Sequence, residues 1–226
     1  MFRALVAAIH RSDIPHVYTD GQRVYTANLA PGVAVYGERL VTQDGVEYRT
    51  WDPRRSKLAA LVRKGVGVFP FRRRTDVLYL GAAQGTTVSH LSDICVEGTI
   101  YSVEVSRRAF QKLFEISERR PNIMPILGDA GAPEAYLRIV GPVEALYQDV
   151  AQRDQVDIFR KNLRFLRPEG VGILIVKARS VDVAAKPKDV YAEVRRDLST
   201  ANVDVLEMTE LDPFAKDHAA FVVEKH

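Results

Sequence analysis

From Asp52 to the end of the chain, short near-continuous apolar runs alternate with segments whose apolar residues recur every three or four positions. DVLYLGA, GTIYSVEV, NIMPILGD, VEALYQDV and GVGILIVKA are of the first kind. TTVSHLSDIC, RRAFQKLFEISERR, PEAYLRIV and AQRDQVDIFRKNLRFL are of the second. Strands apolar on both faces, separated by amphipathic helices, build βαβ units and a parallel sheet covered on both sides. SKLAALVRKG reads as a helix with a glycine stop ahead of the first strand, and PKDVYAEVRRDLST as a helix near the end. VDVLEMTEL and HAAFVVEK follow, joined only by DPFAKD. That link is too short for a parallel crossover, so the last strand runs antiparallel to its predecessor.

Residues 1–52 have another texture. HVYTD-GQ, RVYTANL-APG, VAVYGERLV, TQDG and VEYRTW are short β-type stretches between turn signals, which predicts a small antiparallel meander. The expected division is therefore 1–52 and 53–226, in a chain of 226 residues. With 46% hydrophobic and 27% charged residues, it has the balance of an ordinary globular protein. No apolar run approaches the ~20 residues that span a bilayer. MFRALVAAIHRSD carries only the patch LVAAI and no cleavage site, so it does not read as a signal peptide. Cys95 is the single cysteine, which excludes an internal disulfide and points to a reducing cytosol. No Cys/His cluster has zinc spacing, and no metal is expected.

The stretch VLYLGAAQGTT, residues 77–87, ends a buried strand with Gly81, Ala83 and Gly85 ahead of a helix at Thr86. In a doubly wound sheet, ligands sit beyond the carboxyl ends of the strands. Bare glycines there admit a ligand to the backbone, and the helix start offers free N–H groups. A tight strand–helix packing turn would use the same glycines. Glu104 ends the next strand, 23 residues after Gly81, where a carboxylate can accept from ribose hydroxyls. Asp129 ends the third, where it can meet an adenine amino group. The turn lacks the G-x-G-x-x-G of dinucleotide sites and the P-loop pattern. S-adenosylmethionine, which has ribose and adenine but no phosphate, suits it best.

GAAQGTTVSHLSDI, YSVEVS, NIMPILGDA, DVAQRDQ and VKARS, in this order and spacing, with YRTWDPRRSKLAA upstream, resemble the fibrillarin family in its archaeal form. Gln84 stands where that family usually has serine, and a Gly/Arg-rich N-terminal extension is missing. The resemblance implies a Rossmann-like S-adenosylmethionine-dependent methyltransferase fold: a seven-stranded, mostly parallel sheet with its last strand antiparallel, behind a small N-terminal antiparallel β domain. It implies methyl transfer to ribose 2′-hydroxyls of rRNA and tRNA in the cytoplasm of an archaeal cell. The enzyme would work in a box C/D particle with a guide RNA, a Nop-family scaffold protein and a kink-turn-binding ribosomal-protein homologue. Thr86, Thr87, Glu104, Val105, Asp129, Ala130, Asp149, Val150, Ala151 and Gln152 would line the cofactor.

A ribose hydroxyl needs a positioned base or a cation to lose its proton. Ribose methyltransferases of this general type use a Lys-Asp-Lys arrangement, which Lys57, Asp149 and Lys177 match. The usual fourth residue is a glutamate; Glu207 and His218 are the candidates here. A second ammonium lowers a neighbouring lysine's pKa, and Lys177 is the favoured base. Arg54, Arg55, Arg63, Arg72, Arg73 and Arg74 crowd the same region and suggest a phosphate track. Arg179, Ser180 and the loop to Lys188 are further RNA candidates. His90 reads as packing on the first helix, and Tyr101 and Phe110 as core. The net charge is only +3 and no separate RNA-reading module is visible, so target choice comes from elsewhere, which the resemblance implies is a guide RNA. Two other functions remain open: methylation of a protein glutamine, and a structural subunit without turnover.

Overall fold

The computed structural model describes residues 8–226. The part of the N-terminal segment before Ala8, weighed above as a leader and counted in the 1–52 unit, lies outside the described residues. Five short strands come first: β1 (His10–Arg11), β2 (Tyr18–Thr19), β3 (Val24–Ala27), β4 (Leu40–Gln43) and β5 (Val46–Trp51). They form one antiparallel sheet in the order β1-β2-β3-β5-β4. The stretch VAVYGER, expected to be β-type, is instead a loop. The Glu38 carboxylate holds it by accepting from the Val35 and Tyr36 N–H groups.

Helix α1 (Lys57–Lys64) then opens the larger unit. The Ser56 side chain caps its start, and Gly65, with φ +84°, ends it in the left-handed region that favours glycine. The chain continues through β6 (Val77–Leu80), α2 (Thr86–Ile94), β7 (Ile100–Glu104), α3 (Arg107–Ser117), β8 (Ile123–Leu127) and β9 (Val143–Gln148). After these come α4 (Gln155–Asn162), β10 (Leu166–Lys177), α5 (Ala178–Val181), α6 (Pro187–Leu198), β11 (Val203–Glu210) and β12 (His218–Lys225). The expected helix at PEAYLRIV is only a 3-10 turn over Pro133–Tyr136. The seven strands are ordered β11-β12-β10-β9-β6-β7-β8. β12 slots between β10 and β11, antiparallel to both, while β6 to β10 pair in parallel.

Strand alternation divides the core in two. Val77, Tyr79, Ala145, Tyr147, Ile173 and Ile175 pack with α1, α2 and the N-terminal sheet, whereas Leu78, Leu80, Leu146, Leu174 and Val176 pack with α4 and α6. Among the described residues no helix is long and apolar enough to cross a membrane.

The N-terminal sheet meets α2 through buried ions. The Arg49 guanidinium, fully buried, donates to Glu38, to Asp93 at 2.9 Å and to the Ser89 side chain. Arg120 donates to the other Asp93 oxygen at 2.6 Å and to Asn28. His90 does pack, but against this sheet: its ring stacks on Trp51 and bonds to Thr26 and Tyr36. Tyr101 is half-buried against the core, and Phe110 is half-buried beside Phe114 on α3. Removing one member of a buried, hydrogen-bonded ion set leaves the others uncompensated. Asp93→Ala therefore costs about 3–5 kcal/mol of unfolding free energy, read from the shift of the urea midpoint against the parent chain.

Candidate active site

Five parallel strands deliver their carboxyl ends to one edge of the sheet, and the residues that follow them are Gly81, Val105, Gly128, Asp149 and Ala178. Gly81 and Gly85 turn out to be demanded by the protein itself. A Cβ on Gly81 (φ +79°) would fall on the Asp149 carbonyl, and one on Gly85 (φ +84°) would lie 2.7 Å from the Ile116 side chain of α3. The tight turn brings β6 and β9 together and presents α2 at the edge of the sheet.

Glu104 is 8% exposed, and each carboxylate oxygen takes one backbone N–H: Ala83 at 2.7 Å and Ser106 at 2.7 Å. Each oxygen keeps acceptor capacity for a hydroxyl. Beside it Val105 is 59% exposed, an apolar face at the rim. Asp129 is exposed; its Oδ1 accepts from the Gly131 N–H, and its Oδ2 takes no N–H or O–H among the described residues. Ala130 is buried, with its carbonyl held by Asn162. Thr86 is half-buried, while the Thr87 hydroxyl donates to Ser56, the cap of α1, at 2.9 Å. One bond thus ties the helix after the glycine turn to the helix that begins with Lys57. Val150 is half-buried, and Ala151 and Gln152 are exposed. This donor and acceptor set, a buried diol acceptor flanked by an apolar side chain and a second carboxylate, fits an adenosine group.

Lys57 reaches across the edge to Asp149, Nζ to Oδ2 at 2.8 Å. Lys177 ends β10 opposite His218, the first residue of β12. His218 Nδ1 lies 2.7 Å from the Lys216 carbonyl, so the proton sits on Nδ1 and Nε2 is free. Burial pushes the His218 pKa below its usual value, and the charges of Lys57 and Lys177 push the same way against Asp149. Four groups therefore share one electrostatic site: Lys57, Asp149, Lys177 and His218.

Glu207 is elsewhere. Its carboxylate accepts from the Gly67 and Val68 N–H groups and pins β11 to the segment after α1. Gln155, which the sequence reading passed over, is buried and locks the edge. It accepts from the Lys177 N–H at 2.9 Å and donates to the Gln152 carbonyl at 2.7 Å. Its only signal was an amide at the start of an amphipathic helix.

The arginines separate into groups. Arg54 and Arg55 sit in the turn before Lys57, with the Arg55 guanidinium 5.4 Å above the Tyr36 ring. Arg72, Arg73 and Arg74 precede the amino end of β6, at the opposite end of the strand from Gly81, so the structure does not bring them to this edge. Arg72 caps the Phe69 and Phe71 carbonyls, and the other two share Glu97. Arg179 is tied to Asp217 and to the Val183 carbonyl in its own loop; Ser180 is half-buried and Lys188 exposed.

The family model described as Fibrillarin matches residues 10–226. The chain belongs to the fibrillarin family. A family relative from Methanopyrus kandleri, called fibrillarin-like rRNA/tRNA 2′-O-methyltransferase, is 48% identical over 213 residues, covering 93% of this chain and 92% of its own. An Aeropyrum pernix fibrillarin solved with natively bound S-adenosyl-L-methionine superposes with a TM-score of 0.88 at 43% identity, over 96% of this chain and 97% of that one. A fibrillarin solved in complex with Nop5p gives 0.86 at 40% identity, over 93% and 98%. The fibrillarin fold thus accounts for both sheets.

Because Lys57 lowers the His218 pKa and also neutralises Asp149, removing its charge acts twice in one direction. Lys57→Met raises the His218 titration midpoint above that of the parent chain, as an NMR titration of the histidine ring protons would show.

Proposed function

We propose that this chain transfers a methyl group from S-adenosylmethionine to a ribose 2′-hydroxyl of rRNA or tRNA, as the catalytic subunit of a guide-RNA particle. The observation that carries the reading is the convergence of Lys57, Asp149, Lys177 and His218 beside a buried carboxylate shaped for a nucleoside. Close relatives named as rRNA/tRNA 2′-O-methyltransferases, with S-adenosyl-L-methionine bound in one fibrillarin and Nop5p in another, support it. Target choice falls to the guide RNA, held with a Nop-family scaffold and a kink-turn-binding protein, because no separate RNA-reading module is visible among the described residues. The compartment of such a particle in an archaeon is the cytoplasm.

Glu104 would hold the cofactor's ribose hydroxyls, Asp129 its adenine amine, and Val105 one face of the purine. When bound, that cofactor supplies an already activated methyl group on a sulfonium. The chain's part is to align the oxygen and take its proton. Asp149 pairs with Lys57 at 2.8 Å and holds it in place, so Lys57 anchors the hydroxyl by donating to it. Lys177, with no carboxylate partner among the described residues, is the countercharge to the forming alkoxide. His218 is held neutral at neutral pH, keeps Nε2 free and stands beside Lys177. It is the group best placed to accept the proton. The base therefore moves from Lys177, favoured on sequence, to its cross-strand neighbour.

The two assignments separate by pH. A base must be unprotonated, so with His218 in that role kcat/KM is level through neutral pH and falls only at a pH below the ordinary histidine value. With Lys177 as base the acid limb does not depend on His218. His218→Gln lowers the single-turnover rate about 10²–10⁴-fold and removes the acid limb, with cofactor affinity retained. An acid limb that survives His218→Gln would return the role to Lys177.

A further inference from the structure

A second basic site lies outside the methyl-transfer edge. Between the N-terminal sheet and α1 there is a cavity of about 290 Å³, lined by Arg23, Arg39, Arg63, Thr50, Trp51 and Asp52 among others. Three arginines and one acidic residue line it, and the Asp52 carboxylate already accepts from the Arg54 N–H. Arg23 contacts Asp20 at 3.5 Å and lies against the Tyr25 hydroxyl. The Arg39 and Arg63 side chains make no hydrogen bond and no ion pair among the described residues. Like charges gathered around one concavity repel each other and gain nothing for the fold. They become favourable when an anion enters.

The cavity also lies in line with the chemistry. Trp51 and Asp52 lead through the Arg54–Arg55 turn directly into Lys57, and α1 carries Arg63 six residues further on, about 9 Å along the helix axis. A nucleic-acid strand whose ribose is held at Lys57 therefore has its neighbouring backbone running past Arg54 and Arg55 toward this cavity.

We propose that the cavity bounded by Arg23, Arg39 and Arg63 is a phosphate site for the RNA backbone, a nucleotide or more from the methylated ribose. The inference rests on the RNA-methylating reading above and gives the N-terminal sheet a function: it supplies Arg23 and the loop carrying Arg39, and α1 supplies Arg63. The site grips phosphate without reading bases, as a guide-directed enzyme requires.

The test is equilibrium binding of the full chain to a guide–target RNA duplex whose target nucleotide is 2′-deoxy, across a salt series. Arg39→Gln and Arg63→Gln remove charge without breaking any internal contact, so both fold, and labelled S-adenosylmethionine binding verifies it. Arg164→Gln, a surface arginine paired with Glu134, is the control. Each cavity arginine lost lowers the slope of log K against log salt by about 0.9, which is about eightfold in affinity between 1 M and 0.1 M salt. The double variant loses about twice that slope. An unchanged slope in the double variant, a loss no larger than in Arg164→Gln, or a parent chain without salt-dependent RNA affinity each overturns the proposal. Inorganic phosphate forms the second arm. If it raises the parent's Tm and not the double variant's, while the RNA slopes stay equal, the cavity is a small-anion site and the RNA assignment falls. The deoxy duplex cannot be methylated at the target ribose, so this result is independent of whether methyl transfer to the ribose is the reaction.

Discussion

The site depends on how closely β6 and β9 approach at their carboxyl ends. Gly81 lies against the Asp149 carbonyl with no room for a side chain, and its own positive φ turns the chain toward α2. With the Asp149 main chain held there, the carboxylate meets Lys57 at 2.8 Å. The neighbouring strand β10 ends in Lys177, and β12, inserted antiparallel beside it, begins with His218. The group proposed as catalytic, spanning residues 57 to 218, is thus assembled by sheet register. Gln155 fixes the main chain at Lys177, and the Thr87–Ser56 bond fixes the start of α1. The chemistry needs oxygen and methyl carbon held in line, and rigid elements do this better than loops.

The N-terminal sheet covers one face of α2 and does so with polar groups. Arg49, Glu38, Asp93 and Arg120 are buried together and mutually satisfied. A buried ion set of this kind adds little net stability over an apolar core, but it tolerates only one arrangement of partners. That is useful here, because the same sheet carries one wall of the arginine-lined cavity and runs directly into the turn before Lys57.

Much of the fold could be read from pattern, because strands buried on both faces and amphipathic helices have distinct periods. VDVLEMTEL and HAAFVVEK had to be antiparallel on loop length alone, and they are. The misreadings have physical causes. Pro133 and a short segment gave PEAYLRIV a single 3-10 turn in place of a helix. The polar residues Ser89, His90, Ser92 and Asp93 of α2 are buried, and Asp93 bonds Arg49 of the N-terminal sheet across 44 residues. The glycine turn reads equally as room for a ligand or as tight strand–helix packing, and the packing by itself already requires both glycines. The arginine cluster shows the limit of linear density. α1 and β6 carry the chain from one end of the sheet to the other and back, so Arg54 and Arg55 lie by the site while Arg72 to Arg74 lie at the far end. Lys57 and Asp149 meet across 92 residues, which no spacing rule reveals; only the family resemblance singled them out.

The central claim is that these four groups act on a ribose hydroxyl chosen by a guide. It is tested most directly by methyl transfer from labelled S-adenosylmethionine in the reconstituted particle, comparing a guide-matched RNA with its twin carrying a 2′-deoxy target nucleotide. Label on the matched RNA and none on the twin is the predicted result. Equal label on both would contradict it and place the acceptor on a base or on protein.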